Sequence, residues 1–113
     1  MDNLTLLTAG EWEKMQHEKV PLKNKQADGY IIPLGPVNLV SVVTDRGMVG
    51  CGAFDVAVLD RFDYPAARVK SAQGGAIATI EDLLAGIVND VNAAAIKCSV
   101  AVGMSGREAL DRL

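Results

Sequence analysis

A chain of 113 residues with a formal net charge of −3 has the size of one ordinary domain, long enough for one hydrophobic core and too short for two. Charge is nearly balanced along its length, with no basic patch to neutralise phosphates, which argues against a nucleic-acid partner. No stretch approaches the ~20 apolar residues of a membrane-spanning helix.

Half of the residues are hydrophobic, yet only 4% are aromatic and 11 are glycine. Alanine and valine must fill the core. Small side chains bury little area each, at roughly 25 cal/mol per Å², so burial against a second copy is the expected remedy and a homo-oligomer the expected state. The start Met1-Asp-Asn-Leu-Thr-Leu-Leu-Thr8 has neither a basic segment nor a sustained apolar run. The expectation is a cytoplasmic protein with reduced thiols at Cys51 and Cys98.

In chain order, residues 1–28 read as an N-terminal appendage. Thr8-Ala-Gly-Glu11 matches a helix capping box, and a short helix bearing Trp12, Met15 and Val20 is expected to stop at Pro21. Polar loop follows to Asp28, its Lys19, Lys23 and Lys25 flanked by Glu18 and Asp28 as on a solvated surface.

Residues 29–113 form the expected single domain. Tyr30-Ile-Ile-Pro-Leu34 has strand composition, but Pro33 and Pro36 make it an edge strand or end it. Val37 to Val43 is apolar on both faces and predicts a central strand. Asp45-Arg-Gly47 supplies a hairpin turn in which Gly47 can take positive φ, and Met48 to Cys51 is the returning strand. After Cys51-Gly52 the apolar period becomes helical, with Phe54, Ala57, Val58 and Phe62 on one face up to Pro65. Ala66-Ala-Arg-Val-Lys70 predicts a strand and Ser71-Ala-Gln-Gly-Gly-Ala76 a flexible connection.

Thr79-Ile-Glu-Asp82 opens a helix with acids in its first turn. The apolar stripe from Ile80 through Leu83, Leu84, Ile87, Val88, Val91, Ala94 and Ala95 predicts one helix, or two with a kink at Gly86. Cys98 continues that stripe as a structural residue. Val100-Ala-Val102 reads as a short strand, and Ser105-Gly-Arg-Glu108 caps a terminal helix through Leu110 and Leu113. The fold class expected is α+β, a small mixed β-sheet of about four strands with helices packed largely on one face.

Three blocks carry a resemblance: Thr44-Asp-Arg-Gly-Met-Val-Gly-Cys-Gly-Ala-Phe-Asp-Val56, Thr79-Ile-Glu-Asp-Leu-Leu84 and Val102-Gly-Met-Ser-Gly-Arg-Glu-Ala-Leu110. In that order they resemble the YunC-like family, small bacterial and archaeal domains of unknown function, over about residues 29–113. The Cys-Gly-Ala-x-Asp-Val block is the most specific of the three. The family pattern carries an Arg and a later Gly where this chain has Gln73 and Ala76, and Pro where Gly86 stands. The resemblance implies an α+β fold and a cytoplasmic location and transfers no reaction.

Two kinds of candidate site follow from the residues. Cys51, at a strand end before a helix, sits where thiols are activated in other proteins, and Asp55 is placed to orient a partner or a water. A cysteine between two glycines is equally the packing solution for a crowded corner, and a thiol enzyme needs a base that the distant His17 does not supply. The second kind is anion binding at helix starts: Gly74-Gly75 before the Thr79 cap and Gly103-Met-Ser105-Gly106 before the last helix, with Arg68 or Arg107 to pair with a small anionic ligand, and Gly52 at the Cys51 corner beside them. Neither loop matches a nucleotide-binding pattern. One histidine and two distant cysteines give no metal-ligand spacing, and no cofactor is implied. The acid pairs Glu81-Asp82 and Asp60/Asp63 read as caps or solvated faces. Three functions remain: a binder of a small molecule or partner at the Cys51-Gly52 corner, a structural subunit of an assembly, and a small enzyme with Cys51 as nucleophile.

Overall fold

The computed structural model describes residues 15–113. They form six strands and four helices: β1 (Gln16–Pro21), β2 (Gln26–Pro33), β3 (Asn38–Val43), β4 (Met48–Gly50), α1 (Val56–Asp60), β5 (Ala66–Lys70), α2 (Ile80–Ala85), β6 (Ile87–Val91), α3 (Ala93–Lys97) and α4 (Gly106–Asp111). All six strands lie in one mixed sheet in sequence order. Neighbours are antiparallel except β4 and β5, which run parallel because the intervening α1 carries the chain back to the starting end.

The fold is α+β, but the sheet has six strands rather than about four. The first discrepancy is β1. Its residues 16–20 were expected to finish a helix, and the capping box Thr8–Glu11 lies outside the described residues. In β1 only Val20 is buried, so its composition imitates a solvated loop. Pairing with β2 decides its state, with Lys19 opposite Asp28 at 2.7 Å and His17 stacked on Tyr30 at 4.9 Å between ring centroids. Charged residues and a proline on such a strand discourage further pairing. Val20 and Ala27 pack in the same core as Val40 and Leu83, so the chain from Gln16 is part of the sheet. β2 ends at Pro33, and β1 occupies the edge that β2 was a candidate to form.

The second discrepancy is β6. Ile87, Val88 and Val91 fit a helical stripe as well as a strand, and three β-branched residues in five favour the strand once a pairing edge is available. The backbone at Gly86 turns extended (ψ 170°) where α2 ends. β6 then pairs with β5, and the Met104 carbonyl accepts from Val88 N at 2.8 Å on its other side. Residues 100–102 form no strand.

Strand alternation splits the apolar side chains between two faces. Val40, Val42, Val49, Ala67, Val69 and Val88 point to the main core, which Ile80 and Leu83 of α2, Ala95 of α3 and Ala109 and Leu110 of α4 close. On the other face Met48 and Ala66 pack with Val56 of α1, and Phe54, Leu59 and Tyr64 flank them. α1 therefore buries Val56, not the Phe54-Ala57-Val58-Phe62 stripe, and Phe62 is 75% exposed. Asp55 caps α1 so late that the helix is only five residues long, which shifts the buried face. The hairpin turn at Asp45-Arg46 is held by Thr44, whose hydroxyl accepts from Arg46 N and Gly47 N, both at 3.1 Å. Gly47 does not take the expected positive φ; a Cβ there would run into the Pro65 carbonyl, so close approach, not handedness, requires glycine.

Candidate functional site

The parallel pair β4 and β5 sets the site. Both strands deliver their C-terminal ends to one side of the molecule, the place where open sheets with a strand crossover leave a crevice. A cleft of about 360 Å³ lies there. Its floor is Cys51, Val69 and Ile77, all buried. Gly52 forms part of one wall and Gly75 part of another, and neither would meet any atom within 4 Å if it carried a Cβ. Asn38, Lys70, Ser71 and Asn89 are the other polar residues that line the cleft.

Cys51 extends β4 by donating its backbone N–H to Val40 O at 3.0 Å, which turns its thiol to the main-core side. It is 6% exposed. Gly50, one residue earlier, faces the opposite side, where a Cβ would collide with the Phe54 ring. The two glycines around Cys51 thus differ: Gly50 is required by packing, whereas Gly52 faces open space.

The structure separates the candidate residues. Cys51, Gly52 and Gly75 share the cleft; Gly74 (φ 85°) lies beside it in a turn on Ser71, whose carbonyl accepts from Gly74 N at 3.4 Å. Asp55 is elsewhere: its Oδ1 accepts from Ala57 N at 3.1 Å and Val58 N at 3.3 Å as the α1 N-cap. No carboxylate or imidazole lines the cleft among the described residues. His17 sits on β1, bonded to Asp28 at 2.9 Å. Arg68 stands on the far face of the sheet, donating to the Gly52 and Phe54 carbonyls and pairing with Asp90 at 3.1 Å.

Ser105 caps α4 by accepting from Glu108 N at 3.0 Å, and Arg107 donates to Pro21 O at 3.2 Å. Both border a separate shallow depression of about 320 Å³ beside Glu81 and Leu84. Cys98 ends α3, half-buried, with its sulfur accepting from the Arg46 guanidinium at 3.2 Å. Asp60 accepts from Ala94 N at 3.0 Å at the start of α3. Among the described residues no group of three or more His, Cys, Asp or Glu is arranged to hold a metal ion.

Sequence reasoning missed Lys70 and Asn89. Lys70 reads as an ordinary exposed strand end. Asn89 is the extra residue of a β-bulge opposite Arg68 and Val69, and a bulge re-aims side chains without any periodic signal in the sequence.

Residues 50–113, which begin just before Cys51, match the profile of DUF1805, a domain of unknown function. The chain is 35% identical over 82 residues to the uncharacterized protein YunC of Bacillus subtilis (strain 168), an alignment covering 73% of this chain and 80% of that protein. In fold it is similar to the crystal structure of a protein of unknown function, TA1206, from Thermoplasma acidophilum. The TM-score there is 0.77 at 23% identity, over 88% of this chain and 92% of that one.

Proposed function

Since this chain belongs to the DUF1805 family, whose common sequence carries no assigned activity, we propose a function from the geometry: a small-molecule-binding domain whose site is the cleft at the Cys51-Gly52 corner. Its ligand is a small anion with a short apolar body. The observation that carries this reading is the lining itself. Lys70 is the one charged residue among those that line the cleft, no carboxylate lines it, and the floor is apolar apart from a thiol. Lys70 leaves β5 on the Arg68 face, so its long, exposed side chain would fold over the rim to receive the anionic group, with Asn89 and Ser71 orienting it and the body against Val69 and Ile77.

The thiol-enzyme reading is weaker, because Asp55 is committed to the α1 cap and no base adjoins Cys51. A structural subunit is the second reading, favoured by the exposed apolar side chains Val58, Phe62, Ile96 and Val102. Self-association and a cytoplasmic location complete the proposal; no helix among the described residues is long and apolar enough to cross a membrane.

The test is a thermal-shift series with short-chain carboxylates and phosphate monoesters at fixed ionic strength. A ligand that binds only the folded chain raises Tm with concentration. At least one compound should do so, with a smaller gain in Lys70→Gln and none in Gly52→Leu, which adds bulk at a residue that lines the cleft and where no atom lies within 4 Å of the new Cβ. No gain with any compound, or a gain that survives Gly52→Leu, counts against the reading.

A further inference from the structure

We propose that Arg68 and Asp90 form a clamp on the far face of the sheet that positions the Cys51-Gly52 corner and so sets access to the cleft. The inference rests on the reading of that cleft as the binding site and adds what controls it.

Arg68 lies beside Gly50 in the parallel register of β4 and β5, where the absence of a side chain leaves room for Phe54. Its Nη1 donates to Gly52 O at 3.3 Å and to Phe54 O at 3.4 Å, the two carbonyls that flank Ala53. Its Nη2 is held by Asp90 Oδ2 of β6 at 3.1 Å. One guanidinium thus ties the turn leaving β4 to two neighbouring strands.

Within the turn itself Phe54 N donates to Cys51 O at 3.3 Å. Gly52 and Ala53 are exposed and line the cleft, and the Gly52 Cβ position has no neighbour to brace it. The wall of the cleft is therefore held from behind. Arg68 Nε is buried without a partner, so the fork is spent on the carbonyls and the carboxylate at the cost of one unsatisfied donor. A planar fork holds three oxygens in fixed directions, which a single ammonium does not do equally well. Arg68 and Asp90 side chains are 36% and 42% exposed, so salt screens the pair and loosens the clamp. Arg68 is a positioning residue: it touches the corner from the face opposite the thiol.

The test is the rate of iodoacetamide alkylation at Cys51 and at Cys98, read separately by mass spectrometry on the folded full chain across a salt series. Loss of charge-assisted hydrogen bonds in Arg68→Met should speed Cys51 alkylation about tenfold or more while Cys98 keeps its rate. Arg68→Lys should recover only part of the protection, since an ammonium still joins Asp90 to one carbonyl but cannot reproduce the fork. In wild type Cys51 reacts faster as salt rises; Asp90→Asn reacts faster at low salt and loses that dependence. A Cys51 rate unchanged in Arg68→Met and Asp90→Asn, or one rising in step with Cys98, overturns the proposal. Should Arg68→Met fail to fold, the milder Asp90→Asn with its salt series decides alone. No ligand enters this measurement, so failure of the clamp and failure of the binding reading are seen separately.

Discussion

Asn92 is 5% exposed and uses its whole amide group. Its Oδ1 accepts from Ala66 N at 3.1 Å and Ala95 N at 2.9 Å, and its Nδ2 donates to Val56 O at 3.0 Å and Tyr64 O at 2.8 Å. One side chain thereby joins the start of β5, the start of α3, and both ends of the α1 segment. Removing it strands several buried backbone groups at once, each costing about 1–3 kcal/mol. Asn92→Ala should therefore lower unfolding stability by about 3 kcal/mol or more, measured by urea denaturation, far beyond the ordinary surface substitution. Nothing in the sequence announced this role: Asn92 sits between Val91 and three alanines and reads as one polar residue in a helical stripe. The contrast between Gly50 and Gly52 was equally hidden, because spacing shows two glycines and only packing shows that Phe54 needs the first.

At the scale of elements, local chemistry was legible wherever it is local. The capping boxes at Thr79-Asp82 and Ser105-Glu108 both form, with Asp82 N donating to the Thr79 hydroxyl and Glu108 N to that of Ser105, each at 3.0 Å. The Asp82 carboxylate accepts from Ala78 N at 3.0 Å and Thr79 N at 3.1 Å; these bonds, the Ala78 amide first, hold its pKa below the usual aspartate value. A group whose folded pKa lies below its unfolded one stabilises the fold above the unfolded value and loses that contribution as pH falls through the folded one. Acid should therefore erode this cap from about pH 4 downward. Asp82→Asn should give a shallower loss of stability over that range, read from urea midpoints; an unchanged acid limb would show that the cap does not report on folding. Elements that depend on long-range pairing were not legible. β1 has one buried residue and β6 shares its periodicity with a helix, so both owe their state to β2 and β5, distant in the sequence or beyond a turn.

The whole molecule brings together what the chain separates. Cys51, Gly52 and Gly75 were legible as special residues from composition and spacing, and they meet in one cleft. Asp55, Ser105 and Arg107 were legible for the same kind of reason and serve as caps or as ties to other elements. Turn and cap residues look alike in sequence whether they border a site or merely end a helix. Only the parallel pairing of β4 and β5 tells which glycines face a common space, and that pairing depends on a five-residue helix whose buried face the sequence misplaced.

The proposed binding of a small anion in this cleft is tested most directly by mapping backbone amide chemical shifts during titration with the short-chain carboxylate or phosphate ester that stabilises the fold best. Contiguous, saturable shifts are expected at Gly52, Lys70, Gly75 and Asn89, with the depression around Ser105 and Arg107 silent. Shifts centred on that depression, or scattered and unsaturable across the surface, would contradict it.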